Sequence, residues 1–166
     1  MKSNVLASGL AVVLGLAGVV GLVDVAVAQT SAVDDRKVEA DRLFQQGIKQ
    51  NEVSQFEEAL QSWQASLKLY REIRDRRGEG ESLRNLGLTY FSLGKYLKAI
   101  EYQEKSLIIA WKMKDQLSQQ NAWGSLGLAY DSLGDYAKAI EYQEKSLATA
   151  REIQDRLGEE IGRAHV

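Results

Sequence analysis

The ten residues at positions 98–107, KAIEYQEKSL, occur again without change at 138–147, 40 residues further along the chain. If this decamer is helical, small and apolar side chains lie along one stripe, namely Ala99, Ile100, Gln103, Ser106 and Leu107. That stripe is too narrow to form a core alone, so each unit buries it only by stacking against its neighbours. The repeat therefore predicts an all-α solenoid of antiparallel helical hairpins.

Composition excludes several classes of protein. The 166 residues carry a net charge of −2 with no basic block, so we expect no nucleic-acid partner. The chain has no cysteine, which rules out disulfides, thiolate metal sites and a cysteine nucleophile. It also has no proline, as expected of a nearly all-helical chain.

The N-terminal segment has a different composition from the repeats. Lys2 precedes an uncharged run at 5–23, and Ala26 and Ala28 give the small-x-small pattern of a signal-peptidase site. We interpret residues 1–28 as a signal peptide that exports the protein to the periplasm or the medium. Two alternatives remain open: an uncleaved membrane anchor formed by residues 5–23, and a buried helix. A membrane association is expected only if the segment stays uncleaved.

The 40-residue period places glycines in register at Gly47, Gly87 and Gly127, inside predicted helices. Glycine costs a helix interior about 1 kcal/mol, so we expect these positions to be points of close helix contact. Each unit is predicted to be two helices, which in the second unit cover about 79–93 and 95–113. Gly94 and Gly134 separate the two helices, since a tight turn favours a residue that tolerates a left-handed backbone. We interpret 73–80 as a linker between units.

The recurring residues resemble the signature of the tetratricopeptide repeat family. They are Leu86, Gly87, Tyr90, Gly94, Tyr96 and Ala99, and then Trp123, Leu126, Gly127, Tyr130, Gly134, Tyr136 and Ala139. The longer period is similar to that of kinesin light chains and Leu-Gly-Asn scaffold proteins, and to arrays in bacterial, notably cyanobacterial, proteins. The resemblance implies a divergent unit at 34–77, in which Gln50 replaces the tyrosine, and further units at 78–117 and 118–158.

The last residues depart from the repeat. Residues 161–166 read IGRAHV, which is also the translation of a widely used sequencing adapter. We expect this segment not to be native, and the natural protein to continue with further repeats, a cap or another domain.

No residue pattern favours catalysis. The one histidine, His165, lies in the terminal segment, and no cluster of His, Cys or carboxylates suggests a metal or acid–base site. The pairs Glu101 with Lys105 and Glu141 with Lys145 have the spacing of solvated ion pairs. We therefore expect no enzyme activity, no metal and no cofactor. Tyrosines and tryptophans at repeat positions are interpreted as core, and only Trp111 has no clear place.

In the family that the chain resembles, the first helix of each unit lines a concave groove for peptides. The resemblance carries the groove positions over to Arg84, Asn85, Leu88 and Phe91 in the second unit, to Asn121, Gly124, Ser125, Leu128 and Asp131 in the third, and to Phe44, Gln45, Ile48 and Asn51 in the first. Asn85 is the leading candidate, because an amide both donates to and accepts from a peptide backbone. Phe91 either forms the groove floor or packs between units.

Three functions follow from this interpretation. The first is a protein–protein interaction module that binds a partner segment in the groove. The second is a regulatory or sensor arm of a longer enzyme or signalling protein. The third is self-assembly through exposed end surfaces, because three units are few for stable stacking and the last one has no polar cap.

Overall fold

The computed structural model describes residues 33–164 of the chain, with side-chain burial described as far as 157. The predicted signal peptide, residues 1–28, lies outside this range, as do positions 165 and 166. The described residues form six helices and no strand. They are α1 (33–52), α2 (Phe56–Glu72), α3 (Arg76–Ser92), α4 (Tyr96–Met113), α5 (Gln116–Ser132) and α6 (Tyr136–Ala164).

Consecutive helices pack as hairpins, and each hairpin packs on the next, so the predicted all-α solenoid is confirmed. One core cluster joins the first two hairpins around Trp63, Leu83 and Leu86. A second cluster joins α4 to α5, where Ile100 and Leu107 meet Leu126. The stripe of the first decamer is thus buried between units, as expected of a repeat that cannot form its own core. The boundaries between units stay predictions.

The turns inside the hairpins have the left-handed backbone that the glycines predicted. Gly94 has φ 69° and Gly134 has φ 79°, and Ser54 adopts φ 60° at the same place in the first hairpin. The connections between hairpins use the same conformation at Arg74 and Lys114. A left-handed residue after the last turn lets the next amide bond back to the helix and ends it sharply.

The predicted start of the first helix in the second unit was wrong. Helix α3 begins at Arg76, so most of the segment 73–80 is helical and the linker is only three residues long. Asp75 accounts for the difference, since its carboxylate accepts a hydrogen bond from the Gly78 amide at 2.9 Å and caps the helix. Asp115 caps α5 in the same way. Asp135 accepts a hydrogen bond from the Lys138 amide and caps α6.

Glycines within the helices mark close contacts, as predicted. A Cβ atom added to Gly87 would lie 2.7 Å from Nε2 of Gln103, and one added to Gly127 would lie 2.7 Å from Nε2 of Gln143. The two surroundings differ. Gln103 is buried and donates to the Arg84 carbonyl at 3.2 Å, whereas Gln143 makes the equivalent bond to the Gly124 carbonyl at 3.4 Å but is exposed.

This difference predicts opposite effects for the same substitution. Gly87→Ala forces a buried amide away from its acceptor, so it should lower the free energy of unfolding by about 1–2 kcal/mol. Gly127→Ala displaces a side chain that moves into solvent, and it gains helix propensity, so it should raise that free energy by up to about 1 kcal/mol. Urea denaturation of both variants checks the pair. Equal changes in the free energy of unfolding for the two variants would show that α3 and α4 do not approach as closely at Gly87 as described.

Aromatic residues divide between core and surface. Trp63, Tyr70 and Tyr90 are buried, as the sequence predicted. Tyr136 is exposed, which corrects its interpretation as core, because no further helix lies against the end of the third hairpin among the described residues. Trp111 is also exposed, and its ring meets Trp123 edge-on at 6.5 Å between centroids. The two predicted ion pairs on the decamers form, with both partners exposed.

Glu79 is a buried carboxylate at the junction of α2 and α3. It pairs with Arg71 at 2.9 Å and with Arg76 at 2.7 Å. Burial alone would raise the pKa of Glu79, but hydrogen bonds and charge from the two arginines outweigh burial and lower its pKa below the ordinary 4.5.

A lowered pKa means that ionised Glu79 stabilises the fold above pH 4.5, and that this contribution is lost as the pH falls through its folded-state pKa. Glu79→Gln should therefore cost about 1 kcal/mol at neutral pH, a modest value because both arginines are more than half exposed. In urea denaturation at pH values from 7 down to below 4, the free energies of unfolding of the unchanged protein and of Glu79→Gln should converge. A constant difference across that range would contradict the ionic role.

Candidate functional site

The first helices of the hairpins lie side by side and form one continuous surface, which we call the groove. Contacts between α1 and α3 include the bond from Thr89 Oγ1 to Asn51 Oδ1 at 3.3 Å. Helix α3 in turn contacts α5. Because each first helix has the same register, equivalent residues form rows across the groove.

Two rows follow from the 40-residue period. One is apolar and consists of Ile48, Leu88 and Leu128, of which both leucines are exposed. The other is polar and consists of Gln45, Asn85 and Ser125. Ile48 is half-buried and packs against the first core cluster, so the exposed apolar residue recurs in the second and third hairpins. The two exposed leucines contribute little to the core, so they point to binding.

Four predicted residues meet at a small notch in the groove. Leu88, Phe91, Ser125 and Leu128 line it, above Gly87, Ala99 and Gln103, and its volume is about 30 Å³. Gln103 is one of the lining residues, and its buried amide oxygen has no hydrogen-bond partner among the described residues. The notch is therefore apolar at its rim, with a polar side chain at its base.

Phe91 combines the two roles that the sequence left open. It packs against both core clusters and against the Tyr96 ring, at 5.4 Å between centroids. It also lines the notch. The side chain thus joins two hairpins and forms part of the groove floor.

Asn85 lies half-buried on the polar row. Its Nδ2 donates to the Glu81 carbonyl of its own helix at 3.0 Å, while its backbone carbonyl accepts from Thr89 Oγ1 at 2.9 Å. A carboxamide has two N–H groups and an acceptor oxygen. The bond to Glu81 uses one N–H and fixes the direction of the side chain, which leaves the role predicted for Asn85 compatible with the geometry.

The other predicted residues lie further from the notch. Arg84 is half-buried in a separate cleft between α3, α4 and α5. Asn121 and Asp131 are exposed, and Asp131 lies beside Leu128 at the open end of the third hairpin. Gly124 approaches α6, where a Cβ atom would lie 3.5 Å from Ser146 Oγ. In the first hairpin Phe44 is mostly buried in the core, and it lines a cleft between α1 and α3 together with Gln45.

A charged cleft between α1 and α3 was missed by the sequence analysis. Its volume is about 460 Å³, and its lining includes Lys37, Asp41, Arg77 and Glu81. Lys37 and Arg77 are one 40-residue period apart, and so are Asp41 and Glu81. The period therefore predicts that these four residues lie in rows, as the groove residues do.

Tyr70 closes the base of this charged cleft. Its hydroxyl donates to Asp41 Oδ1 at 2.7 Å. Burial and this bond raise the pKa of Tyr70. Burial by itself would raise the pKa of Asp41, but bonds from Lys37 and Tyr70 lower it on balance. Asp41 is therefore ionised at neutral pH, and the cleft presents both signs of charge to a partner.

The described residues contain no group of three or more His, Cys, Asp or Glu that could hold a metal ion. Within residues 33–164, no helix is long and apolar enough to cross a membrane.

A solenoid of helical hairpins with a groove along its first helices defines a class of protein-interaction scaffolds. The tetratricopeptide repeat profiles match residues 50–112 and 120–152, together more than half of the chain. The chain belongs to the tetratricopeptide repeat family, whose repeats generally mediate protein–protein interaction.

Solved structures agree with this assignment. The TPR domain of Arabidopsis FLU superposes with a TM-score of 0.68 at 25% identity, covering 70% of this chain and 98% of that one. Aspartyl phosphate phosphatase F from Bacillus subtilis gives 0.69 at 21% identity, over 72% and 31%. A complex of the yeast Sti1 TPR2AB domain with pHSP90 gives 0.53 at 25% identity, over 82% and 52%. Curated protein sequences gave no significant match.

Proposed function

We propose that the protein is an exported interaction module that binds a segment of a partner protein in the groove. The apolar row of Ile48, Leu88 and Leu128 is the observation that carries this proposal. Apolar side chains repeated across an otherwise polar surface match a partner segment that presents apolar side chains at regular spacing. The polar row beside it supplies hydrogen bonds to the backbone of that segment.

The charges of the groove favour a partner with both signs of charge. Lys37 and Arg77 lie beside Asp41 and Glu81 in the charged cleft. A strongly acidic or strongly basic segment would meet repulsion from one of these pairs. The yeast Sti1 complex with pHSP90 supports the idea of a bound segment at the level of the family.

Peptide selection tests the groove directly, because it needs no identified partner. A random peptide library is displayed on phage and selected against the full chain. Enriched peptides should bind Leu88→Arg or Asn85→Ala at least about tenfold more weakly, the loss expected for a central contact residue. Leu97→Arg is the matched control, because Leu97 is an exposed leucine on α4, outside the groove.

Circular dichroism of each variant verifies that the fold is unchanged. Peptides that bind Leu88→Arg and Asn85→Ala as tightly as the unchanged chain would refute the groove. Export is tested separately by N-terminal sequencing of the protein recovered from cells, which should begin at Gln29. A chain that retains residues 1–28 would favour the anchor.

A further inference from the structure

A cleft between α4, α5 and α6 contains none of the residues predicted for the groove. Its volume is about 400 Å³, which lies in the range of about 300–1,000 Å³ that small-molecule sites occupy. We call it the aromatic cleft, and its lining residues are Trp111, Gln116, Gln119, Trp123, Lys145, Ala148, Thr149 and Glu152. The exposed Trp111, which has no place in the repeat pattern, therefore lies at a concave site.

The aromatic cleft replaces an ionic cluster of the repeat. One period earlier, at the junction of α2 and α3, Arg71 and Arg76 pair with the buried Glu79. Forty residues further along, the equivalent positions hold Trp111, Gln116 and Gln119. The ionic residue types return in the sequence at Arg151, Arg156 and Glu159. Among these three sets, only the middle one exchanges its charged side chains for an indole and two neutral amides.

A further substitution makes room in the aromatic cleft. Ile109 of α4 is 6% exposed and packs in the first core cluster. Its equivalent in α6 is Thr149, which is half-buried and lines the aromatic cleft. Threonine is shorter than isoleucine and brings a hydroxyl group. The cleft therefore gains space and hydrogen-bonding capacity where the earlier unit has core.

The aromatic cleft does not depend on how the chain continues after α6. Its α6 residues end at Glu152, within the part of α6 that corresponds to α4. Three of their four equivalents in α4 remain exposed although a hairpin follows α4, namely Lys105, Ile108 and Lys112. The fourth, Ile109, lies against Gly80 of α3. The counterpart of α3 is α5, which already lines the cleft.

The aromatic rings of the cleft are in contact with one another. The Trp111 ring meets the Trp123 ring edge-on at 6.5 Å between centroids, and Trp123 stacks on Tyr142 at 5.7 Å. Trp123 is half-buried, whereas Trp111 keeps more than half of its surface open to solvent. An exposed indole held in a cleft is a flat apolar surface on which the apolar face of a ligand can stack.

Polar side chains surround the indole of Trp111. Gln119 is buried, and its Nε2 donates to the Ala110 carbonyl at 3.3 Å, which fixes the direction of its amide. Gln116 of α5 donates from Nε2 to Glu152 Oε2 of α6 at 3.5 Å. An amide both donates and accepts, and a carboxylate accepts. The aromatic cleft therefore offers donors and acceptors beside an apolar platform.

The charges of the aromatic cleft favour a neutral ligand. Lys145 Nζ lies 5.1 Å from the ring centroid of Trp123 and 5.0 Å from that of Tyr142. A cation already occupies these rings, so a cationic ligand would meet repulsion. Glu152 opposes an anionic ligand in the same way. The two charges cancel, and the other six lining residues are neutral.

A pyranose ring meets these requirements, since it has an apolar C–H face and hydroxyl groups that both donate and accept. A proline ring also stacks on an indole, but a run of prolines has no N–H group to donate to Glu152. We propose that the aromatic cleft binds a neutral saccharide, with one pyranose ring stacked on Trp111 and its hydroxyls bonded to Gln116 and Glu152. This site does not depend on what the groove binds.

The indole N–H signals in nitrogen–proton correlation spectra test the site, because two of the three tryptophans line the cleft. Trp63, buried in the first core cluster, is the internal control. The full chain is titrated with three neutral oligosaccharides: cellotetraose, maltotetraose and chitotetraose. At least one should shift the signals of Trp111 and Trp123 and leave that of Trp63 unchanged. No such shift with any of them at about 10 mM, which fills even a millimolar site, would overturn the proposal.

Substitution of Trp111 tests the stacking contact. Trp111→Ala should weaken binding of that oligosaccharide at least about tenfold, the loss expected for a central aromatic contact. Tyr136→Ala is the matched control, because Tyr136 is an exposed aromatic residue of α6 outside the cleft. Circular dichroism verifies that both variants remain helical. Unchanged binding by Trp111→Ala, or decaproline shifting the same two signals where no oligosaccharide does, would contradict the saccharide site.

Discussion

Replacing Trp63 with alanine should lower the free energy of unfolding by about 3–5 kcal/mol, the range for a large aromatic removed from a core. Trp63 is 2% exposed, and it fills the space above Gly47, where a Cβ atom would lie 2.5 Å from its Nε1. Its indole N–H also donates to the Phe44 carbonyl at 3.2 Å. The substitution therefore opens a cavity and removes the hydrogen bond that ties α2 to α1.

Trp111→Ala is the matched control for this prediction. Trp111 is 57% exposed, so the same change there should cost less than about 1 kcal/mol. Urea denaturation followed by circular dichroism measures both variants. If Trp63→Ala lowers the free energy of unfolding no more than Trp111→Ala does, the first two hairpins do not pack around Trp63.

Leu107→Ala should cost about 2–5 kcal/mol, whereas Leu147→Ala should cost less than about 1 kcal/mol. The two leucines have the same nine preceding residues, so intrinsic helix propensity is the same at both sites. Leu107 is buried between α4 and α5, while Leu147 is 52% exposed on α6.

The comparison uses dilute protein, so that no second copy covers the exposed Leu147. The free energies of unfolding from urea titrations then report the neighbouring helix alone. Equal losses at the two leucines would mean that α5 does not cover α4 as described.

Much of the fold could be predicted because the repeat fixes it. The 40-residue period predicted the helical hairpins, and Gly94 and Gly134 predicted the position of the turns inside them. The start of α3 was missed because Gly78 and Gly80 suggested a break, whereas the cap at Asp75 and the contact of Gly78 with the Tyr70 ring hold a helix there. A local propensity was outweighed by a hydrogen bond and by packing between helices.

The candidate site was predicted less completely. Leu88, Phe91, Ser125 and Leu128 line one notch, and their role in binding stays a prediction. Phe44 is mostly buried, whereas Arg84 at the equivalent position is half-buried, so the period does not fix how exposed a position is. The exposure of Ile140 could not be read from its surroundings in the sequence, since the same decamer is buried in α4. Exposure depends on the neighbouring helix and not on the decamer.

Amide hydrogen exchange of the two decamers tests the stacking of hairpins most directly. Residues 98–107 and 138–147 have the same sequence, so their intrinsic exchange rates are nearly the same and any difference in protection reports their surroundings. In the monomeric chain, stacking predicts stronger protection for 98–107, which α3 and α5 both contact, than for 138–147, which only α5 contacts among the described helices. Equal protection of the two decamers, or stronger protection of the second, would contradict it.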